Sequence, residues 1–370
     1  MSLKVREHDG DLRLLRPVWN DIVARQGTGI QRLDITATLE WAETLGKSLL
    51  IGRSQKTLLL EHEGEIVGLF PLYESSESRY RLRFKKVAPT TELYSGRSGF
   101  ILKDYRIDYL EAFIDYLYNQ VEDWSVFQMT LVDDSESDSL LRDVCKLRGL
   151  HCDKIPIQAS PYIVLENSWK DYLNSLPKKF RWNLRNGRKK MEACGPLRYV
   201  VCEKASQVEH FLSAVFEIER ASWKETAGTS ITANDYQEVF YKEFCTPALD
   251  RGWFYGHLLE LAGEPIAYIY GATYQSAFYD FKESYKAKYK ELSPGHVLKT
   301  FVFEELYRRN VRLYDFMGVC EDYKLRWTDK TYSRSTYVMY NNNPCGLALR
   351  MGEKLASYLR KSLSKSGWRS

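Results

Sequence analysis

Asp280, Lys282, Glu283 and Tyr285 crowd one short strand-like run. Strict alternation puts Asp280 with Lys282 on one face and Phe281, Glu283 and Tyr285 on the other, so Glu283 and Tyr285 can face one cleft. An acid beside a phenol suits removal of a proton from an amine and return of a proton to a leaving group. The competing reading is a cross-strand polar pair on a solvated face. Just downstream, Tyr289-Lys290-Glu291-Leu292-Ser293-Pro294-Gly295-His296 separates that strand from a helix. Ser293 suits the cap of this helix and Pro294 its first turn. The unpaired N–H groups there form a ready-made phosphate site, although ordinary helix starts carry the same signature. Neither GxxxxGK[ST] nor GxGxxG occurs, so a Walker ATPase and a Rossmann enzyme are unsupported.

Further along, Asp315 sits where the strand Tyr314-Asp315-Phe316-Met317-Gly318 would expose it, and Tyr323-Lys324 and Trp327 follow. A lysine just past a strand end can stabilise a developing oxyanion, or can simply be solvated. The segment Lys178–Lys190 is the most basic of the chain and holds no acid before Glu192. Arg181 and Arg185 lie four apart on one helical face and suit contact with a phosphorylated ligand; a solvated face is the competing reading. His257 and His296 have around them no nucleophile-His-acid order and no HxxxH pair.

The elements that must position these residues read as two similar sets. Helical spacing covers Asp11–Ala24 and Ala37–Leu45, and Thr57–Leu72 reads as a hairpin turning at Glu63-Gly64. A strand near Arg83–Ala88, a Gly-bearing stretch, a helix Asp108–Asn119, a strand Val126–Val132 and a helix Ser137–Leu147 follow. The second half repeats hairpin, strand, loop, helix and strand through Pro265–Tyr274, Ala277–Lys286, Tyr289–Gly295, Val297–Arg309 and Arg312–Met317. Its hairpin shares L-L-E-x-x-G-E with the first, Leu59-Leu60-Glu61 and Gly64-Glu65 matching Leu258-Leu259-Glu260 and Gly263-Glu264. Two α/β units follow from this, spanning 1–160 and 161–345, with 346–370 as an amphipathic C-terminal helix and tail. In that tail Leu347, Met351, Leu355, Leu359 and Leu363 recur every fourth residue, which suits docking on the domain or contact with a membrane surface.

Composition narrows the class. The 370 residues carry 53 Lys and Arg against 49 Asp and Glu, a net charge of +4, too small for wholesale nucleic-acid binding. No run approaches a membrane span, the first ten residues lack a signal-like apolar core, and the seven scattered cysteines include no CxxC. A cytoplasmic protein without metal or membrane span is expected, its oligomeric state open.

Taken together, Arg181–Lys190 with Gly195, Ser222-Trp223-Lys224, Ser284-Tyr285, Ser293-Pro294-Gly295, Asp315–Gly318 and Tyr323-Lys324 resemble the GNAT-superfamily acyltransferases of the CelD-like branch, relatives of the FemABX aminoacyl transferases. The resemblance covers Pro161–Trp327 well and the first half in outline. It implies an α/β (α+β) fold of tandem GNAT-like units, each a mixed, mostly antiparallel sheet flanked by helices, with the first unit degenerate. It also implies acetyl-CoA or another acyl-CoA as co-substrate, its thioester on Ala277–Tyr285 and its pyrophosphate at Leu292, Ser293, Gly295 and His296. The base is then Glu283 or Asp315, since Lys286 stands where many CelD-like members carry an acid. Lys324 occupies the place of the FemABX lysine, and Trp223, Lys224 and Tyr323 join Arg181 and Arg185 around the acceptor. The function implied is acyl transfer to an amine of a sugar nucleotide, glycan precursor or small metabolite. FemABX-like transfer from charged tRNA, or a non-catalytic role in polysaccharide assembly, are the alternatives.

Overall fold

The computed structural model describes residues 3–27 and 29–365. Along the chain the strands are β1 (Leu3–Glu7), β2 (Ser54–His62), β3 (Glu65–Arg79), β4 (Leu82–Pro89), β5 (Ile101–Leu102), β6 (Trp124–Val132) and β7 (Cys152–Val164). Then come β8 (Leu197–Cys202), β9 (Phe254–Leu261), β10 (Glu264–Tyr274), β11 (Ala277–Tyr285), β12 (Leu313–Asp315) and β13 (Thr331–Tyr340). The chain divides into two compact units. The first comprises residues 1–26, 52–157 and 333–370, and the second residues 27–51 and 158–332.

This division is interleaved, unlike the contiguous one read from the sequence. Residues 27–51 belong to the second unit because their helix Leu39–Gly46 buries Trp41 against Phe240, Phe244 and Phe281 at ring separations of 4.9, 5.1 and 4.9 Å. Glu40 adds an ion pair to Arg251 at 2.8 Å. Residues 333–345 belong to the first unit because β13 pairs antiparallel with β6 through Arg334–Tyr340. Periodicity reports which face of a segment is apolar and not which distant segment covers it.

In the first unit the sheet order is β1-β2-β3-β4-β6-β13, with β5 on β3; in the second it is β7-β12-β11-β10-β9-β8. The repeat seen in the sequence is a repeat in space. Both hairpins turn through two left-handed residues, Glu63 and Gly64 (φ 53° and 85°) and Ala262 and Gly263 (φ 51° and 82°), the geometry that matches strand twist. Both then shift register at the same step. Leu60 faces Gly68 while Glu61 faces Ile66, and Leu259 faces Ala267 while Glu260 faces Pro265, so Val67 and Ile266 are the extra residues. Each unit also carries a parallel pair, β4 with β6 and β11 with β12, among antiparallel neighbours.

Helices pack on each sheet. In the first unit the helix Ile107–Gln120 places Tyr109, Leu110, Phe113, Ile114 and Leu117 in the core. In the second, the helix Pro294–Arg308 lays Val297, Leu298, Val302, Phe303 and Leu306 against the sheet beside Tyr255, Ile269 and Phe278. At about 25 cal/mol per Å² of apolar surface removed from water, such stripes are what hold these helices in place.

Candidate functional site

A cleft of about 620 Å³ opens in the second unit, between the end of β11, the start of the helix Pro294–Arg308 and the short helix Asp322–Leu325. Glu283, Tyr285, Ser293, Gly295, His296, Trp223, Lys224 and Tyr323 line it, so residues up to a hundred positions apart meet as the sequence suggested. Lys290, Lys299, Glu321 and Arg326 line it too, and sequence reasoning had not singled them out.

Its floor is a buried charge cluster. Lys299, only 1% exposed, holds Glu283 Oε2 in an ion pair and lies 3.3 Å from Asp280 Oδ2. The Tyr314 hydroxyl donates to the same Asp280 oxygen at 2.6 Å. Glu283 Oε1 and Asp280 Oδ1 are buried and make no hydrogen bond among the described residues. Burial would lift the Glu283 carboxyl, but Lys299, with Lys224 and Lys324, more than offsets it and holds Glu283 below the ordinary carboxylate value. For Asp280 the balance goes the other way: burial and then the adjacent Glu283 charge push it up to about 6. Burial also works against the charge of Lys299, yet the two carboxylates carry it above its usual value.

The cluster forms because β11 does not alternate strictly. Tyr270 faces Lys282 and Gly271 faces Asp280, leaving Phe281 as an extra residue. This bulge turns Phe281 to the opposite face, against Trp41 and Phe244, and brings Asp280 round to the side of Glu283. The sequence reading, which grouped Phe281 with Glu283 and Asp280 with Lys282, is corrected accordingly. A bulge has no signature in hydrophobic alternation.

At the other side of the cleft the helix Pro294–Arg308 begins. Ser293 adopts the left-handed region (φ 55°, ψ 50°) and its side chain makes no capping bond, so it is not the side-chain cap expected. With proline at the first position and no cap, the first-turn N–H groups of Gly295 and His296 stay available. The Trp327 indole N–H donates to His296 Nδ1 at 3.1 Å, which leaves the proton on Nε2. Burial first, then Lys299, pushes His296 down to about 4, so the ring is neutral. Lys290 and Arg326 make no ion pair among the described residues.

Residues 178–325 match the family model described as an acetyltransferase (GNAT) domain. The match lies within the second unit. No curated protein matches the chain. Among solved structures, that of FemX superposes with a TM-score of 0.64 at 15% identity, over 95% of this chain and 100% of that one. L-PGS from Bacillus licheniformis gives 0.54 at 11% identity, over 90% and 94% of the two chains. A tandem GNAT protein from the clavulanic acid biosynthesis pathway gives 0.50 at 12%, over 93% and 99%. At such identities these likenesses speak for the fold alone, a tandem GNAT-like build; the match of residues 178–325 to an acetyltransferase domain is what supports an N-acyltransferase.

Within the GNAT domain several expected residues lie elsewhere. Asp315 is fully buried outside the cleft, accepting from the Met317 N–H at 2.8 Å and the Tyr332 hydroxyl at 3.2 Å, so it closes the turn after β12. The Leu292 side chain packs on the core cluster around Val297. Arg181 bonds Asn174 at 3.1 Å and Arg185 is exposed; neither lines the cleft. Lys324 lines a small adjoining pocket, but its ammonium is engaged by the Met317 and Val319 carbonyls at 3.2 and 3.3 Å and by Glu321 at 3.0 Å, which uses its three protons. Lys224 donates to the Glu283 carbonyl. Lys299 carried one legible signal: it is the lone charge among the inward positions of an apolar helix face.

Among the described residues no group of His, Cys, Asp and Glu could hold a metal, and no helix is long and apolar enough to cross a membrane.

Proposed function

We propose that this cleft takes acetyl-CoA, or another acyl-CoA, and transfers its acyl group to an amine of a sugar nucleotide, glycan precursor or other small metabolite. The observation that carries the reading is the pairing of two unlike ends in one cleft. One end offers the Gly295 and His296 N–H groups with the free cations Lys290 and Arg326, a fit for phosphates. The other offers a buried glutamate oxygen at the cleft wall, Glu283 Oε1, with no hydrogen-bond partner among the described residues.

In this reading Glu283 Oε1 accepts a hydrogen bond from the attacking amine and takes its proton as the C–N bond forms. Lys299 keeps Glu283 ionised through neutral pH. Tyr285 has its ring 3.7 Å from where a side chain on Gly295 would begin, on the donor side, and burial keeps its proton in place. It delivers that proton to the departing thiolate as the C–S bond breaks. Burial, then the Glu283 charge, raises Tyr323 as well, so it stays a neutral donor beside the carboxylate. Lys324, saturated by loop carbonyls and Glu321, holds the loop before Tyr323 in place of the oxyanion role expected of it.

Titration calorimetry with acetyl-CoA tests the donor. Binding is expected, with about tenfold or greater loss in Gly295→Asp, whose carboxylate would oppose the phosphates. Unchanged affinity in a folded Gly295→Asp variant would remove the donor from this helix start. Absence of acetyl-CoA binding together with steeply salt-dependent binding of aminoacyl-tRNA would favour the tRNA donor instead.

A further inference from the structure

The C-terminal helix Pro344–Lys365 packs on the first unit by the face opposite to its regular apolar series. Leu349 is buried with Phe84, Val126, Val338 and Tyr340. Gly352 lies so close to Tyr80 that a Cβ there would meet the ring at 2.8 Å. The series spaced every fourth residue points outward: Met351 is 71% exposed, Leu355 60% and Leu359 49%, with Tyr358 at 71% beside them. A helix built only to dock on its own domain buries its apolar stripe. This one docks through a short contact around Leu349 and leaves the stripe in water.

The surroundings of the stripe are cationic. Tyr80 and Leu82, at the β3–β4 turn, extend the apolar patch past Gly352, and Arg81 lies between them. Arg81 and Lys354 are exposed and make no ion pair among the described residues, whereas the nearby acid Glu353 is neutralised by Arg79 at 2.6 Å. Residues 346–370 contain six Lys and Arg and one acid, Glu353.

We propose that this face is a docking surface for a membrane containing anionic lipid, with Met351, Leu355, Tyr358 and Leu359 seated at the headgroup boundary and Arg81 and Lys354 on lipid phosphates. Apolar residues flanked by unpaired cations are the complement of such a surface. A second copy of the chain is the poorer occupant, because a two-fold interface would set Arg81 and Lys354 against the same cations. The helix would thus hold the chain at a lipid surface without crossing it.

Flotation with phosphatidylcholine vesicles, with and without phosphatidylglycerol, tests this on the full chain. The wild type is expected to float with the phosphatidylglycerol vesicles only, and about 0.5 M salt should release most of it. Met351→Ser/Leu355→Ser/Leu359→Ser should lose about tenfold or more in binding, and Arg81→Glu/Lys354→Glu several-fold, both with wild-type melting temperatures because the side chains are exposed. The charge pair keeps the test decisive should the serine variant fail to fold. Failure of the wild type to float, wild-type binding by either variant, or a wild-type dimer that the serine variant dissolves without any flotation would each overturn the proposal.

Discussion

In the first unit Glu92, which follows β4 on the short turn Thr90–Leu93, spends both oxygens on the sheet. Oε2 accepts the Thr130 N–H at 2.6 Å, and Oε1 accepts the Thr130 hydroxyl at 2.8 Å and the Gln128 amide at 3.3 Å. In the second unit Glu283, on β11, spends one oxygen on Lys299 and leaves the other unpartnered in the cleft. The strands around them differ in the same sense. β3 and β4 pair without interruption, whereas β10 and β11 carry the Phe281 bulge. The buried face of the helix Ile107–Gln120 is apolar throughout, whereas the helix Pro294–Arg308 buries Lys299 in its apolar stripe. Two units with one hairpin design have thus settled the same problem, a glutamate taken out of water, in opposite ways. A carboxylate with every acceptor used supports a fold. One that keeps a buried oxygen unpaired beside a buried lysine sacrifices stability and is useful only with a substrate in place.

The largest effect should therefore separate these two acids. Glu283→Gln is expected to lower kcat by about 10² to 10⁴ with little change in acetyl-CoA affinity. Glu92→Gln should leave kcat at its wild-type value and lower the folding stability by about 1–3 kcal/mol, as for a buried hydrogen-bonded group. Thiol release with an accepted amine, alongside thermal melts, measures both; equal kcat losses would dissolve the comparison.

Next comes the lysine. Lys299→Met removes the cation that bridges Asp280 and Glu283 and should destabilise the second unit by about 3–5 kcal/mol, as loss of one partner of a buried ion pair does. The double change Lys299→Met with Asp280→Asn should recover part of that loss. Denaturant melts decide, and a near-neutral single variant would mean that the cluster is solvated and not a buried triad.

How much of this was legible follows from which interactions are local. The hairpins were readable because Glu63-Gly64 and the sequence before Gly263 encode a turn within four residues. Glu283, Tyr285, Ser293, Gly295 and His296 were readable because one strand, one loop and one helix start set their order. The bulge at Phe281 was not, because it depends on how β11 pairs with β10 and on Trp41, two hundred and forty residues earlier, receiving the displaced ring. Asp315 was misread for a related reason: exposure at a strand end was inferred locally, while Tyr332 and the turn N–H groups bury it. Arg181 and Arg185 do share a helical face, but that face is not the one toward the cleft.

A smaller effect distinguishes the units by pH. In the second unit burial pushes His257 down to about 3 and His296 to about 4. Both remain neutral when folded and become protonated near 6.5 when unfolded. Their contribution to stability is complete above about pH 6.5 and is lost as the pH falls, reaching roughly 2 kcal/mol per group near pH 5. Asp280, raised to about 6, has the opposite sign, losing stability as the pH rises from about 4 to 6, and offsets part of this. His257→Asn should melt lower than wild type at pH 7 yet lose less between pH 7 and 5. An acid loss of unchanged size in that variant would assign the pH dependence elsewhere.

The smallest effect concerns what the units share. Gly64 and Gly263 hold φ of 85° and 82° at equivalent turn positions, and a Cβ at either would meet nothing within 4 Å. The cost of alanine is therefore conformational alone, about 1 kcal/mol for a left-handed residue with a side chain, and should be equal at the two sites. Gly64→Ala and Gly263→Ala, compared by denaturant midpoints, should shift stability alike, each acting on the transition of its own unit, and neither should change kcat. Equal shifts would show that the hairpins are interchangeable parts and that the contrast between Glu92 and Glu283 arises after them, in the strand that follows. A kcat loss in Gly263→Ala alone would instead place the divergence in the hairpin, by showing that its turn sets the register in which β10 meets the bulge of β11.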